Sequence, residues 1–234
     1  MRISGGAARG ITLVTPKGDA TRPATDGVRQ AVFSSIASRV PGAWFLDLFA
    51  GSGAYGLEAV SRGAAGGFFV EKNAKAAACI SKNLTAVCKS AGHDVQTLSV
   101  AQADVLSWRL PAGAEAPDLV FVDPPYEIIG EVAEPLFARL TEILAEKADP
   151  VIVFEMPGEI TLEPAGWACV KRLGKGARQP TVCFFSEDSA RRGRACGGHA
   201  LRGTATIPGY ISPRRALMMA TAAVAAVSAR RTRE

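Results

Sequence analysis

The chain has 234 residues, 48% of them hydrophobic, and a formal net charge of +5. That composition buries a sizeable core and excludes a disordered or fibrous chain, and no stretch reaches the roughly 18 to 20 apolar residues that a membrane span needs. The N-terminus, "MRISGGAARG", lacks the apolar segment of a signal peptide, so the expected location is the cytoplasm.

In chain order, residues 2–15, "RISGGAARGITLVT", read as two short strands around a Gly-Gly turn, with Arg2 and Arg9 projecting from the hairpin. A helix follows in "TDGVRQAVFSSIASRV", capped by Thr25 or Asp26 and carrying Val28, Val32, Phe33 and Ile36 at helical spacing. Residues 1–43 thus form a basic hairpin-and-helix arm. From Trp44 the texture changes to apolar runs alternating with helical patterns. The runs are "WFLDLF", "GFFVE", "VQTLSV", "DLVFVD" and "PVIVFEM"; helices are expected over 55–62, 73–90 and 131–146. Strands separated by helical crossovers predict a doubly wound parallel α/β sheet over residues 44–189. "ACVKRLGKGARQPTVCFFSE" adds an antiparallel hairpin closing one edge. Residues 190–234 are rich in Gly and Arg, and read either as a basic appendage with a marginal Ala-rich helix or as an RNA contact.

Charge divides along the same lines. Residues 1–43 hold 6 basic and 2 acidic groups, residues 44–189 hold 12 and 19, and residues 190–234 hold 9 and 1. A polyanionic partner would be gripped by the ends rather than the body; the alternative is that basic ends only confer solubility. The five cysteines, Cys79, Cys88, Cys169, Cys183 and Cys196, form no CxxC pair and have no metal-like spacing to His93 or His199. They read as buried thiols, with no metal site.

"DLFAGSGAYG", residues 47–56, follows the first strand of the sheet and opens a helix, where an open α/β fold binds a nucleotide-like ligand. Gly51, Gly53 and Gly56 fit G-x-G-x-x-G, a signal shared by dinucleotides and S-adenosylmethionine. Glu71 ends the second strand, where a carboxylate accepts ribose hydroxyls, and Asp104, past the third, is placed to accept from an adenine amino group. Asp47 lies four residues before the first glycine. There it repels a pyrophosphate and attracts the ammonium of a methionine moiety, which favours S-adenosylmethionine over NAD. The other reading of Asp47 is a cap on a neighbouring turn.

The fourth strand ends in "DPPY": Asp123, Pro124, Pro125 and Tyr126. The prolines lack backbone donors and fix φ, making a stiff extended corner. Doubly wound order puts this strand beside the first, so Asp123 faces the crevice of the glycine loop. An exocyclic amine on a nucleobase is a poor nucleophile because its lone pair is delocalised. The Asp123 carboxylate and Pro124 carbonyl can each take one N–H and turn the lone pair toward a sulfonium methyl; alignment of this kind reaches effective molarities on the order of 10⁵ M or more. Tyr126 supplies a ring to stack on the base.

The series "FAGSGA", Glu71, Asp104 and "DPPY" resembles the amino-group methyltransferases, and "RISGGAARG" with "RPATDGVRQAVF" upstream resembles the RsmD family over residues 2–188. The resemblance implies a Rossmann-like sheet and methyl transfer from S-adenosylmethionine to N2 of a guanine in 16S ribosomal RNA. The substrate would be small-subunit ribosomal RNA, free or in the assembling small subunit. It implies cofactor binding through Asp47, Phe49, Gly51, Ser52, Gly53, Glu71 and Asp104, and a catalytic motif in which Asp123, Pro124 and Tyr126 hold the amine while Pro124 and Pro125 fix the spacing. Arg2, Arg9, Arg22 and Arg29 would contact RNA, although Arg22, Thr25 and Arg29 equally suit the cofactor's methionine end. Residues 190–234 inherit nothing from the family. Nothing in the sequence requires more than a monomer. Three rivals stay open: an adenine-N6 methyltransferase, an NAD-linked oxidoreductase, and a silent RNA-binding module.

Overall fold

The computed structural model describes residues 1–16, 26–174, 176 and 179–188, all within one unit. The apolar runs become β1 (Trp44–Leu48), β2 (Gly66–Glu71), β3 (Leu98–Gln102), β4 (Leu119–Val122) and β5 (Val151–Pro157), and the expected hairpin becomes β6 (Trp167–Leu173) and β7 (Pro180–Glu187). The helices are α1 (Asp26–Ser35), α2 (Ala54–Ser61), α3 (Ala74–Ala91) and α4 (Ile129–Ile143). The seven strands form one sheet ordered β3-β2-β1-β4-β5-β7-β6. β1 to β5 pair in parallel, and β7 pairs antiparallel with β5 and β6. The chain order reverses between β1 and β4, so the switch point of a doubly wound sheet opens beyond the carboxyl ends of those two strands.

Alternation along the strands sends residues to two cores. Phe45, Phe69, Phe121 and Val153 join Leu57, Val60, Ile80 and Leu84 of α2 and α3 on one face. Leu46, Val70, Val120, Val122 and Phe154 join Leu136, Phe137 and Leu140 of α4 on the other. Both faces of the parallel strands are covered, which is why their sequences read as continuous apolar runs.

The N-terminal segment is part of the first core, to which it contributes Ile3, Ala8, Leu13, Val32, Phe33, Ile36 and Val40. Its hairpin is reduced to a single bridge, Arg2 to Thr12. The Gly-Gly turn lies against the end of α2: Ala7 N donates to Ser61 O at 2.7 Å, and a Cβ on Gly6 would stand 1.9 Å from that same oxygen, so only glycine fits.

Three elements depart from expectation. Val95–Thr97 forms a 3₁₀ turn instead of the start of β3, because Asp94 Oδ1 accepts from Gln96 N at 3.0 Å and offers the backbone a local alternative. α4 starts two residues earlier than 131, fed directly by a 3₁₀ turn over Tyr126–Ile128. Cys79, Cys88 and Cys183 are buried free thiols as expected, but Cys169 is exposed because it lies on the outer edge strand. Arg22, Thr25, Cys196 and the tail from 190 lie outside the described residues. Among those described, no helix is long and apolar enough to cross a membrane.

Candidate active site

The glycine loop is held from below and from both sides. Gly51 and Gly53 take positive φ, and the chain enters the loop through Phe49 at φ 55, a left-handed value that costs a non-glycine residue energy and is tolerated where surrounding structure enforces it. Gly56 is where α2 touches the sheet: a Cβ there would stand 2.3 Å from the Phe69 ring and 2.6 Å from that of Phe45. The Asp47 carboxylate, buried, accepts from Gly56 N through Oδ2 at 2.8 Å. Asp47 therefore caps the first turn of α2, the alternative reading of this acid, while its Oδ1 has no donor among the described residues. Burial pushes its pKa up to about 8, with the Glu71 charge adding and the Gly56 N–H opposing.

Glu71 accepts from Gly51 N at 2.8 Å through Oε2 and from Asn73 N at 2.7 Å through Oε1. A carboxylate has about four acceptor sites, so both oxygens retain capacity for ribose hydroxyls. Ser52 is buried, and its carbonyl accepts from Asn83 Nδ2 at 2.9 Å; the Asn83 amide also exchanges hydrogen bonds with the backbone of Val14. Asn83 thus ties the loop to the N-terminal segment from α3. Asp104 lies past β3 on the rim, taking Lys72 Nζ at 3.0 Å and Leu106 N at 2.9 Å. The Lys72 hydrogen bond, then that of Leu106, holds its carboxyl below the usual range.

Asp123 follows β4 at the switch point, its N–H directed at Leu48 O of β1 at 3.5 Å. No described residue donates to its carboxylate or to the Pro124 carbonyl. Loss of surrounding water, then the charges of Glu155 and Asp47, pushes the Asp123 carboxyl well above its ordinary range. Pro124 is buried and Pro125 exposed; Tyr126 is half-buried beside the second core. The structure brings together Asp47, Phe49, the glycine loop, Glu71 and Asp123 at the carboxyl ends of three adjacent strands, with Asp104 beyond the fourth.

Of the four arginines assigned to RNA, Arg2 and Arg9 are exposed. Arg29 is a correction. It is wholly buried, with Nε on Glu58 Oε2 at 3.3 Å, Nη2 on Asp26 Oδ1 at 2.8 Å and on the Arg2 carbonyl, so it cannot reach a phosphate. Its partner Glu58, equally buried, also takes Ser4 N, Ser4 Oγ and Arg62 Nε, each at 2.8 Å. This cluster joins hairpin, α1 and α2.

The model of the family described as Conserved hypothetical protein 95 matches residues 1–185. Ribosomal RNA small subunit methyltransferase D of Escherichia coli K12 is 34% identical over 171 residues, 72% of this chain and 81% of that protein. The chain belongs to the RsmD family. Two solved structures extend the likeness to the fold: yhhF of Escherichia coli, at 30% identity and TM-score 0.60, covers 80% of this chain and 98% of its own. TTHA0928 of Thermus thermophilus, at 28% identity and TM-score 0.61, covers 79% of this chain and 98% of its own. The chain is accordingly an S-adenosylmethionine-dependent methyltransferase with a Rossmann-like sheet.

Two residues at this family's switch point were not singled out from sequence. Tyr55, the second residue of α2, is buried against Phe33 and Phe121 and donates to Glu155 Oε2 at 2.9 Å. Glu155, in β5, is itself buried. Its signal was visible: in "VIVFEMP" a lone acid interrupts a strand that is otherwise apolar.

Proposed function

We propose that this protein transfers the methyl group of S-adenosylmethionine to the exocyclic N2 amine of a guanine in small-subunit ribosomal RNA. The observation that carries this reading is the pair of acceptors after β4: the Asp123 carboxylate and the Pro124 carbonyl, adjacent in a stiff corner, both lack a donor among the described residues. A planar NH₂ has two hydrogens to give, and two fixed acceptors hold it in one orientation.

The residues around the loop fit the cofactor. Asp47 has one oxygen to offer an ammonium, Glu71 retains acceptor capacity for ribose hydroxyls, and Asp104 stands on the rim for the adenine amino group. When bound, the cofactor supplies an electrophilic methyl on a sulfonium sulfur. Phe49, Ser52 and the backbone of Gly51 and Gly53 set the shape of the loop around it. Tyr126 offers its ring to the guanine, and Pro125 keeps that ring at a fixed distance from Asp123. Because an A-form helix hides base edges, the guanine must lie in a loop or be extruded. Arg2 and Arg9, exposed on the hairpin, dock phosphates. The small-subunit target follows the name of the Escherichia coli relative, and the guanine N2 position follows the family resemblance.

The test is transfer of labelled methyl to ribosomal RNA from cells lacking the protein, followed by digestion and identification of the labelled nucleoside. N2-methylguanosine is expected; N6-methyladenosine would replace the guanine reading with the adenine one. Asp123→Ala should leave cofactor affinity within a few-fold while turnover falls roughly 10³-fold, the loss of an aligning and electrostatic contact made at the reacting group. Turnover close to wild type would refute the role of Asp123.

A further inference from the structure

Three carboxylates share one face of the sheet at the switch point. In the parallel ladder Val122 pairs with Phe154, so Asp123 and Glu155 occupy the next register step and point to the opposite face from that pair. Adjacent strands lie about 4.8 Å apart, which sets the scale of the separation between the two acids. Asp47 lies on the same face from β1, which pairs with β4 on its other side. Their partners differ: Asp47 holds Gly56 N, and Glu155 holds the Tyr55 hydroxyl, whereas Asp123 has no described donor. Among the described residues, the other charged groups that act on these acids or on Tyr55 are Glu71 from β2, which acts on Asp47, and Arg29 from α1, which acts on Tyr55.

We infer that Glu155, oriented by the Tyr55 hydroxyl, is a positioning residue that makes Asp123 the base for the proton lost by the amine during methyl transfer. The inference rests on the amine-methylation reading above. A hydrogen-bonded carboxylate needs no basicity to orient an amine, but it needs basicity to keep a proton. Burial pushes the Glu155 carboxyl up, the Tyr55 hydroxyl opposes this by stabilising its charge, and negative charge on Glu155 one strand away raises the affinity of Asp123 for a proton. During transfer the nitrogen lone pair forms the N–C bond and the C–S pair returns to sulfur, leaving a neutral thioether. One N–H proton then passes to Asp123 while its electron pair stays on nitrogen. Asp123 ends neutral, the form that burial and Glu155 favour in the empty site. It must therefore release a proton to solvent when the cofactor cation and the amine arrive, and one proton leaves per turnover.

The experiment is carboxyl ¹³C NMR of the cofactor-free full chain, with the Asp123 signal assigned from Asp123→Asn, in wild type, Glu155→Gln and Tyr55→Phe. In Glu155→Gln the Asp123 midpoint should fall by about one to two pH units, as for removal of a like charge a few ångströms away. In Tyr55→Phe, which removes the donor that stabilises charge on Glu155, it should fall by less. The acidic limb of the pH–rate profile on ribosomal RNA should move down with Glu155→Gln in the same way. An Asp123 midpoint unmoved in Glu155→Gln would overturn the inference even if that variant were slow, since a purely structural role predicts loss of rate without a shift. Should Glu155→Gln not fold, wild-type protein and Tyr55→Phe decide the matter: an ordinary Asp123 midpoint in wild type, or one that Tyr55→Phe leaves unmoved, refutes it, and one displaced upward in wild type that falls in Tyr55→Phe supports it. Methylation of a different nucleoside, with the NMR shift as expected, would sink the guanine reading and leave this pairing intact.

Discussion

Asp47 makes cofactor affinity a function of pH in a calculable way. Its carboxyl is pushed from an ordinary 3.8 up to about 8, chiefly by burial. Because the folded value lies above the unfolded one, this group favours the folded state below about pH 4, and that contribution is lost as pH rises through about 8. An ammonium bound beside Asp47 requires the ionised form. With a midpoint of about 8, that form is present in about one empty molecule in a hundred at pH 6 and in half of them at pH 8, so affinity should rise about 50-fold over that interval, or about 2.3 kcal/mol. Binding should release close to one proton between pH 6 and 7. The assay is titration calorimetry of the thioether product of methyl transfer, S-adenosylhomocysteine, in buffers of different ionisation enthalpy. This ligand keeps the ammonium but lacks the sulfonium charge, so the response of Asp123 and Glu155 is largely removed. Asp47→Asn should flatten the pH dependence. A flat profile in wild-type protein between pH 6 and 8, or a slope that survives in Asp47→Asn, would refute the placement of the ammonium at Asp47.

Two further outcomes test the frame of the site. Glu58→Ala leaves the buried Arg29 guanidinium without its Glu58 partner and should cost about 3–5 kcal/mol in chemical denaturation, the penalty of breaking a buried ion pair; Glu58→Gln, which keeps one acceptor oxygen, should cost less, and equal losses would refute the ion-pair account. Arg2→Ala with Arg9→Ala should weaken RNA binding and lower the slope of log affinity against log salt by about 2, with cofactor binding unchanged. An unaltered slope would remove the hairpin from the RNA interface.

The sheet was legible because its signals are local and redundant. Four consecutive apolar residues before Asp123, and five before Glu71 if Gly66 and Gly67 are counted with them, leave no polar face for a strand to expose. Crossover helices between such runs then leave few topologies. The candidate site inherits that legibility: Asp47, Glu71, Asp104 and Asp123 all stand at or near the carboxyl ends of parallel strands, and doubly wound order fixes which of them are neighbours. β3 was misjudged at its start because Asp94 captures the chain in a turn, a competition that hydrophobic pattern does not register.

Arg29 and Glu155 escaped for one physical reason: residue type states what a side chain can bind, whereas burial decides what it does bind. In "TDGVRQAVF" the arginine stands between Val28 and Gln30 and its charge reads as solvent-facing, and nothing local names the glutamate 29 residues away that receives it when α1 turns this position inward. The ion pair becomes visible only when α1 and α2 are both placed on the same face of the sheet. Glu155 is the converse. Its neighbours announce burial, yet an isolated buried acid is untenable without a partner, and that partner, Tyr55, lies 100 residues earlier at the start of another helix. The apolar run around Glu155 thus implied an unseen donor. The glycine loop delivers that donor to the same strand ends, because Tyr55 in the first turn of α2 stacks on Phe121 of β4 and reaches Glu155 of β5.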